Sequence, residues 1–266
     1  MINAALYKRE WKGNWKLLLI FGAVLTMYIS MIISMYDPEV MKTLDSFAKA
    51  MPQLMAAVGM NADSGSLLGF MVTYLYGFLL LVFPMVFSIL RGNALIARYA
   101  ERGSLVSLMA APVKRRTIAL TQLAVLVNGI VLLIAYCTIV ELVCAWYGYA
   151  GEFEVSELLL LNGGLLCLQL FLGSICFLAS CLCSDTRSSI ALGAGVPTLM
   201  YVLQMLANVG GRAEGLKYVT CFTLFDAEGI LAGQGSAAAG AAVLLAGAVV
   251  LSGLGVLVFD RKDLHI

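Results

Sequence analysis

The chain has 266 residues, of which 61% are hydrophobic and 12% charged, against about 45–50% apolar and about 25% charged in an ordinary soluble domain. That excess excludes a water-soluble fold, and apolar runs from end to end leave no room for a large soluble domain. With 17 basic and 16 acidic residues the formal net charge is +1, so no bulk attraction to nucleic acid is implied.

A bilayer core about 30 Å thick is crossed by about 20 mostly apolar helical residues. Residues 1–16 precede the first such run and are predicted to form an amphipathic interfacial helix. Tyr7, Trp11 and Trp15 follow at i, i+4 spacing along one side, with Lys8, Arg9, Lys12 and Lys16 around it. Such a helix acts as a topological anchor or as an elbow that guides lipid or substrate. The first predicted span is Leu17 to Tyr36; its apolar run exceeds the core of about 7–15 residues in a signal peptide, so it is read as retained. The others are Leu67 to Leu90, Ile118 to Val140, Leu158 to Leu182, Ile190 to Asn208 and Ala237 to Phe259. The predicted fold is therefore all-α, a single polytopic membrane domain over residues 1–266 with six transmembrane helices.

Pro84 and Pro197 fall inside the second and fifth spans, where each removes a backbone hydrogen bond. A hinge beside a translocation path and the ordinary tolerance of membrane helices for proline both account for them.

Lysine and arginine set the orientation. Lys8, Arg9, Lys12, Lys16, Arg91, Arg98, Arg102, Lys114, Arg115, Arg116, Arg187, Arg261 and Lys262 fall on one side, against only Lys42, Lys49, Arg212 and Lys217 on the other. Both termini are expected in the cytoplasm. Two outer loops are longer than turns; the second, residues 209–236, has apolar stretches at Tyr218 to Phe225 and Gly229 to Leu231 that suit short helices dipping into the outer leaflet.

The loop between the second and third spans, residues 97–116, is the most informative segment. Leu105, Leu108 and Met109 lie at i, i+3, i+4, Pro112 ends the helix, and Lys114, Arg115 and Arg116 give it a basic exit suited to anionic lipid. A helix with such an apolar face needs a membrane or a protein partner to cover it. In Glu101, Gly103, Ser104, Leu105, Leu108, Pro112 and the basic cluster, the chain resembles the six-span permease subunits of type-2 ABC exporters. The resemblance extends to the basic N-terminus, the long first outer loop, and the tail motif from Phe259 to Leu264. It implies that Glu101, Gly103, Ser104, Leu105, Leu108, Met109 and Pro112 form a coupling helix docking on a separate ATPase subunit, which would hold ATP and Mg. It further implies pairing as a homodimer or with a related permease, in a bacterial plasma membrane.

No phosphate-binding G-x-x-x-x-G-K-[ST] run occurs in the chain, nor do H-E-x-x-H or G-x-S-x-G, and the one histidine is His265. The chain is thus expected to be a transport subunit without a catalytic or metal site and with no cofactor of its own. A membrane enzyme acting on lipid or peptide, and an ion-coupled carrier without an ATPase, are the competing functions. The cysteines are read as small buried hydrophobes, with Cys221 alone in a polar loop, rather than as metal ligands or disulfides. Asn128, Asn162, Gln169 and Gln204 are the polar side chains within spans that could meet cargo, although bonds between helices also account for them. Glu141, placed by this reading near the outer interface, is expected to be a solvated end rather than a proton or ion site.

Overall fold

The computed structural model describes residues 2–37, 46, 50–57, 66–101, 113–149 and 153–262, and no strand occurs among them. Among the described residues six helices are long and apolar enough to cross a membrane: Ala4–Ser34, Leu67–Tyr99, Arg115–Tyr149, Val155–Leu182, Thr186–Asn208 and Gly235–Arg261, spans one to six in chain order. Each contains or closely overlaps one of the predicted segments. Met27, Ile139, Leu160, Leu199 and Val249 are all exposed. An apolar periphery of that kind requires lipid rather than water around it, so the chain is a multi-pass membrane protein.

The N-terminal segment and span one form one unbroken helix, not an interfacial helix followed by a separate span. Asn3 begins it: its Oδ1 accepts the Leu6 N–H at 3.0 Å, which satisfies one of the donors that a helix start leaves free. The Asn3 N–H in turn donates to Thr121 Oγ1 of span three at 3.0 Å. Arg115 lies beside Lys262, so the beginnings of spans one and three and the end of span six share one end of the bundle. This is the terminal end, and the opposite one is the far end.

Span four is the axis of the bundle. It packs on spans two, three, five and six, and 61% of its most apolar window is buried, as in span two, against 22–39% for the other four. Small residues let its neighbours approach, as is usual where helices meet in a membrane. A Cβ at Gly92 of span two would lie 2.5 Å from Cys176 Cβ, a distance real atoms do not adopt.

Both prolines are accommodated from this axis. Pro84 has no N–H for the Leu80 carbonyl one turn earlier; the Gln169 side-chain amide donates to that oxygen at 3.2 Å and to Leu81 O at 3.0 Å. Pro197 likewise orphans the Gly193 carbonyl, and the Cys176 thiol reaches it at 3.1 Å. Span two also contains an eight-residue π-helical stretch, Val72–Leu79, directly before the proline turn. Wider turns of this kind concentrate at functional positions in helices, and this one buries Thr73, Leu75 and Tyr76.

Short helices do form within residues 209–236: 3-10 turns over Gly211–Val219 and Cys221–Leu224, then Ala227–Leu231. Asp226 caps the last, its Oδ1 accepting the Gly229 N–H at 2.9 Å. They close the far end, where Phe222 packs edge-on against Tyr201 of span five at 5.3 Å between ring centres. At Gly240 of span six a Cβ would stand 2.4 Å from the Leu224 carbonyl oxygen. Cys221, expected in a polar loop, is buried, and burial pushes its thiol up to about 12. All seven cysteines are free. Between spans four and five, Asp185 Oδ2 accepts the Ser188 N–H at 2.7 Å, and that bond holds its carboxyl below the usual carboxylate range.

Candidate functional site

Of the predicted coupling residues, Gly103, Ser104, Leu105, Leu108, Met109 and Pro112 lie outside the described residues. Glu101 is described, exposed at the end of the helix Ala97–Glu101. The flanks of this segment are well defined, and both are fastened to the bundle.

On the near flank, Glu10 of span one gathers two groups of span two. The Arg91 guanidinium donates to Glu10 Oε2 at 3.4 Å and to the Glu10 carbonyl at 3.2 Å, with both side chains largely buried. The Tyr99 hydroxyl donates to Glu10 Oε1, and the Arg9 guanidinium stands 6.0 Å over the Tyr99 ring. A buried arginine without a carboxylate would be strongly unfavourable, so the acid and the arginine require each other. These groups, with Gly13, Ala94 and Arg98, line a cavity of about 270 Å³. Lys8 and Lys12 are exposed on the same helix.

The far flank of the segment joins two motifs that the sequence treats separately, the basic cluster and the tail. Arg116 Nε donates to Asp260 Oδ2 at 2.8 Å, and the Arg115 guanidinium donates to the Lys262 carbonyl at 2.9 Å. Lys262 then reaches across to span four, where its ammonium donates to the carbonyls of Cys181, Leu182 and Cys183 at 3.2, 2.8 and 2.8 Å. Those are orphaned acceptors at a helix C-terminus, where the helix dipole also favours a cation. Desolvation pulls the Lys262 ammonium below the pKa of a free lysine. Lys114 alone of the cluster is exposed without such a bond among the described residues.

The four amides separate into distinct roles. Gln169 serves the proline turn, and exposed Asn128 donates to the Tyr7 hydroxyl at 2.9 Å. Gln204 accepts from Thr220 Oγ1 and Thr223 Oγ1 at 2.5 and 2.8 Å and donates to Asn208 Oδ1 at 3.0 Å. It thereby ties span five to the short turns and forms part of the wall of a far-end cavity of about 200 Å³, with Tyr76, Tyr201, Asn208, Asp226 and Glu228.

Asn162 belongs to a buried cluster that overturns the expectation for Glu141. Glu141 is not a solvated end: it is fully buried, and its Oε2 accepts from the Tyr76 hydroxyl at 2.9 Å and from Asn162 Nδ2 at 2.7 Å. Asn162 Nδ2 also donates to the Tyr76 oxygen at 2.7 Å and to Leu158 O at 3.2 Å. The physical reason is helix length. Span three runs for 35 residues, about 52 Å at 1.5 Å per residue, so Glu141 lies two turns short of its end, where span two and span four cover it.

Sequence reasoning passed over Glu10, Arg91, Tyr99 and Tyr76. Two signals were there to be used: Glu10 is the lone acid in the basic N-terminal stretch, and Arg91 directly follows an apolar run. Nothing in the sequence marks Tyr76, because its role depends on the π-helical turn. Comparison of the chain with models of known protein families finds no match, and comparison with curated proteins finds none either.

Proposed function

We propose that the chain is the membrane-spanning permease subunit of an ATP-driven exporter, which moves a substrate out of the cytoplasm or the inner leaflet by coupling to a separate ATPase subunit. The terminal end faces the cytoplasm in this reading, in a bacterial plasma membrane, because the lysines and arginines concentrate there. Hydrolysis of ATP, with its Mg, belongs to the partner, and a second permease copy or a related chain completes the pathway.

One observation carries the reading: both flanks of residues 102–112 are fastened to the helices that a coupling element would have to move. Arg91 and Tyr99 grip span one through Glu10, while Arg115 and Arg116 grip the end of span six, and Lys262 carries the connection to span four. A push on the intervening segment therefore reaches spans one, two, three, four and six as rigid bodies, the usual way a local event is converted into a global one. The sequence of that segment, with Leu105 and Leu108 on one helical face, suits a groove on a soluble partner.

The test is whether a gene beside this one encodes a soluble ATPase and whether that ATPase co-purifies with this chain. Leu105→Asp together with Leu108→Asp is expected to abolish association while leaving the six-span bundle extractable and folded. Full retention of the ATPase by the double variant would overturn the coupling assignment.

A further inference from the structure

The Glu141 cluster has a hydrogen-bond inventory that does not close with an ionised carboxylate. Oε2 receives two donors, but Oε1 is buried with no partner among the described residues, and so is Asn162 Oδ1. No ion pair of the described residues includes Glu141. A bare carboxylate oxygen inside a membrane bundle is a costly arrangement unless its charge is removed.

Among the described residues, few groups could remove it. Span two contributes Tyr76; span four contributes Asn162 and, at its beginning, the half-exposed Glu157. Span one brings Tyr28 to the far half, with Tyr36 and Asp37 just beyond its end, and span six brings no titratable side chain there. On span three itself Cys137 and Cys144 are the titratable neighbours that interact with the carboxyl. None of these is a cation.

We propose that Glu141 is a proton-binding site, loaded from the far-end cavity through the Tyr76 hydroxyl. Tyr76 is in contact with both places, because it lines the cavity and donates to Glu141 Oε2. In the loading step the Tyr76 O–H bond breaks as its proton forms an O–H bond on Oε2. A hydronium ion in the cavity then returns a proton to the phenolate and leaves as water, so one proton passes from the medium to the carboxylate and its negative charge is neutralised. Around Oε2 the new O–H donates to the Tyr76 oxygen, Asn162 Nδ2 keeps its bonds to that oxygen and to Leu158 O, and the phenol points its hydrogen to the cavity; Oε1 becomes the carbonyl oxygen of a neutral acid, whose burial without a partner costs far less than that of a carboxylate oxygen. Asp226 in the cavity wall adds a negative charge that concentrates protons at the entrance. The proposal does not depend on an ATPase partner.

Infrared spectroscopy of the full chain in phosphatidylcholine nanodiscs tests it. A protonated-carboxyl C=O band is expected at neutral pH, absent from Glu141→Gln and lost as the solution is made alkaline. Tyr76→Phe, which keeps the acid, should retain the band at a shifted frequency and slow its exchange with heavy water by roughly a hundredfold, the scale on which a positioned acid–base group acts. Identical spectra for wild type and Glu141→Gln, or a Tyr76→Phe band unchanged in frequency and exchange rate, would overturn it. So would saturable binding of radioactive sodium or potassium that Glu141→Gln abolishes, since the site would then hold a metal cation.

Discussion

Gln169 and Cys176 are two turns apart on span four, and each supplies a donor that a proline elsewhere has withdrawn. A buried carbonyl left without a partner costs about 1–3 kcal/mol, so Gln169→Leu is expected to destabilise the protein by about that amount, read as thermal unfolding in detergent. Combining it with Pro84→Ala, which returns an N–H to the Leu80 carbonyl, should recover a good part of the loss. Strictly additive effects of the two changes would refute the assigned partnership. The sequence showed both prolines and the amide as polar oddities within spans, yet it could not pair them. Register between helices is a property of packing, and residues 84 and 169 meet only once spans two and four are in place.

Among the elements, the six spans were legible because apolar length is set by bilayer thickness, and that constraint acts on every segment independently. Ends were not legible. Span three extends to Tyr149 rather than stopping at Val140, which moved Glu141 from a supposed rim into the interior. The connection between spans five and six was legible as short helices, but not its close seat on span six. There Gly240→Val drives a side chain into the Leu224 backbone, and a loss of about 1–3 kcal/mol is expected from such overpacking. Gly253→Val, on the same helix with open space around its Cβ, should change stability by less than about 0.5 kcal/mol. Equal melting curves for the two variants would show that the turns do not brace span six.

For the whole molecule, the terminal end is held by two fastenings of different character. Glu10 and Arg91 are largely buried, so Glu10→Ala strands a guanidinium and is expected to destabilise by about 3–5 kcal/mol. Arg116 pairs with Asp260 from a side chain that is 63% exposed, and Arg116→Ala should cost about 0–1 kcal/mol. Thermal unfolding of both variants checks the ranking, and a reversed order would mean that the tail contact, not the Glu10 contact, secures this end. The candidate coupling segment was legible as a run of residue types, and its fastenings were not, because Glu10, Arg91 and Tyr99 come from separate helices and each looks ordinary alone.

Lys262 is translated after all six spans, yet its ammonium is what covers the carbonyl rim of the fourth. The end of span four is therefore covered only after span six has been made. A chain cut before Lys262 leaves the three carbonyls at that helix end without this donor.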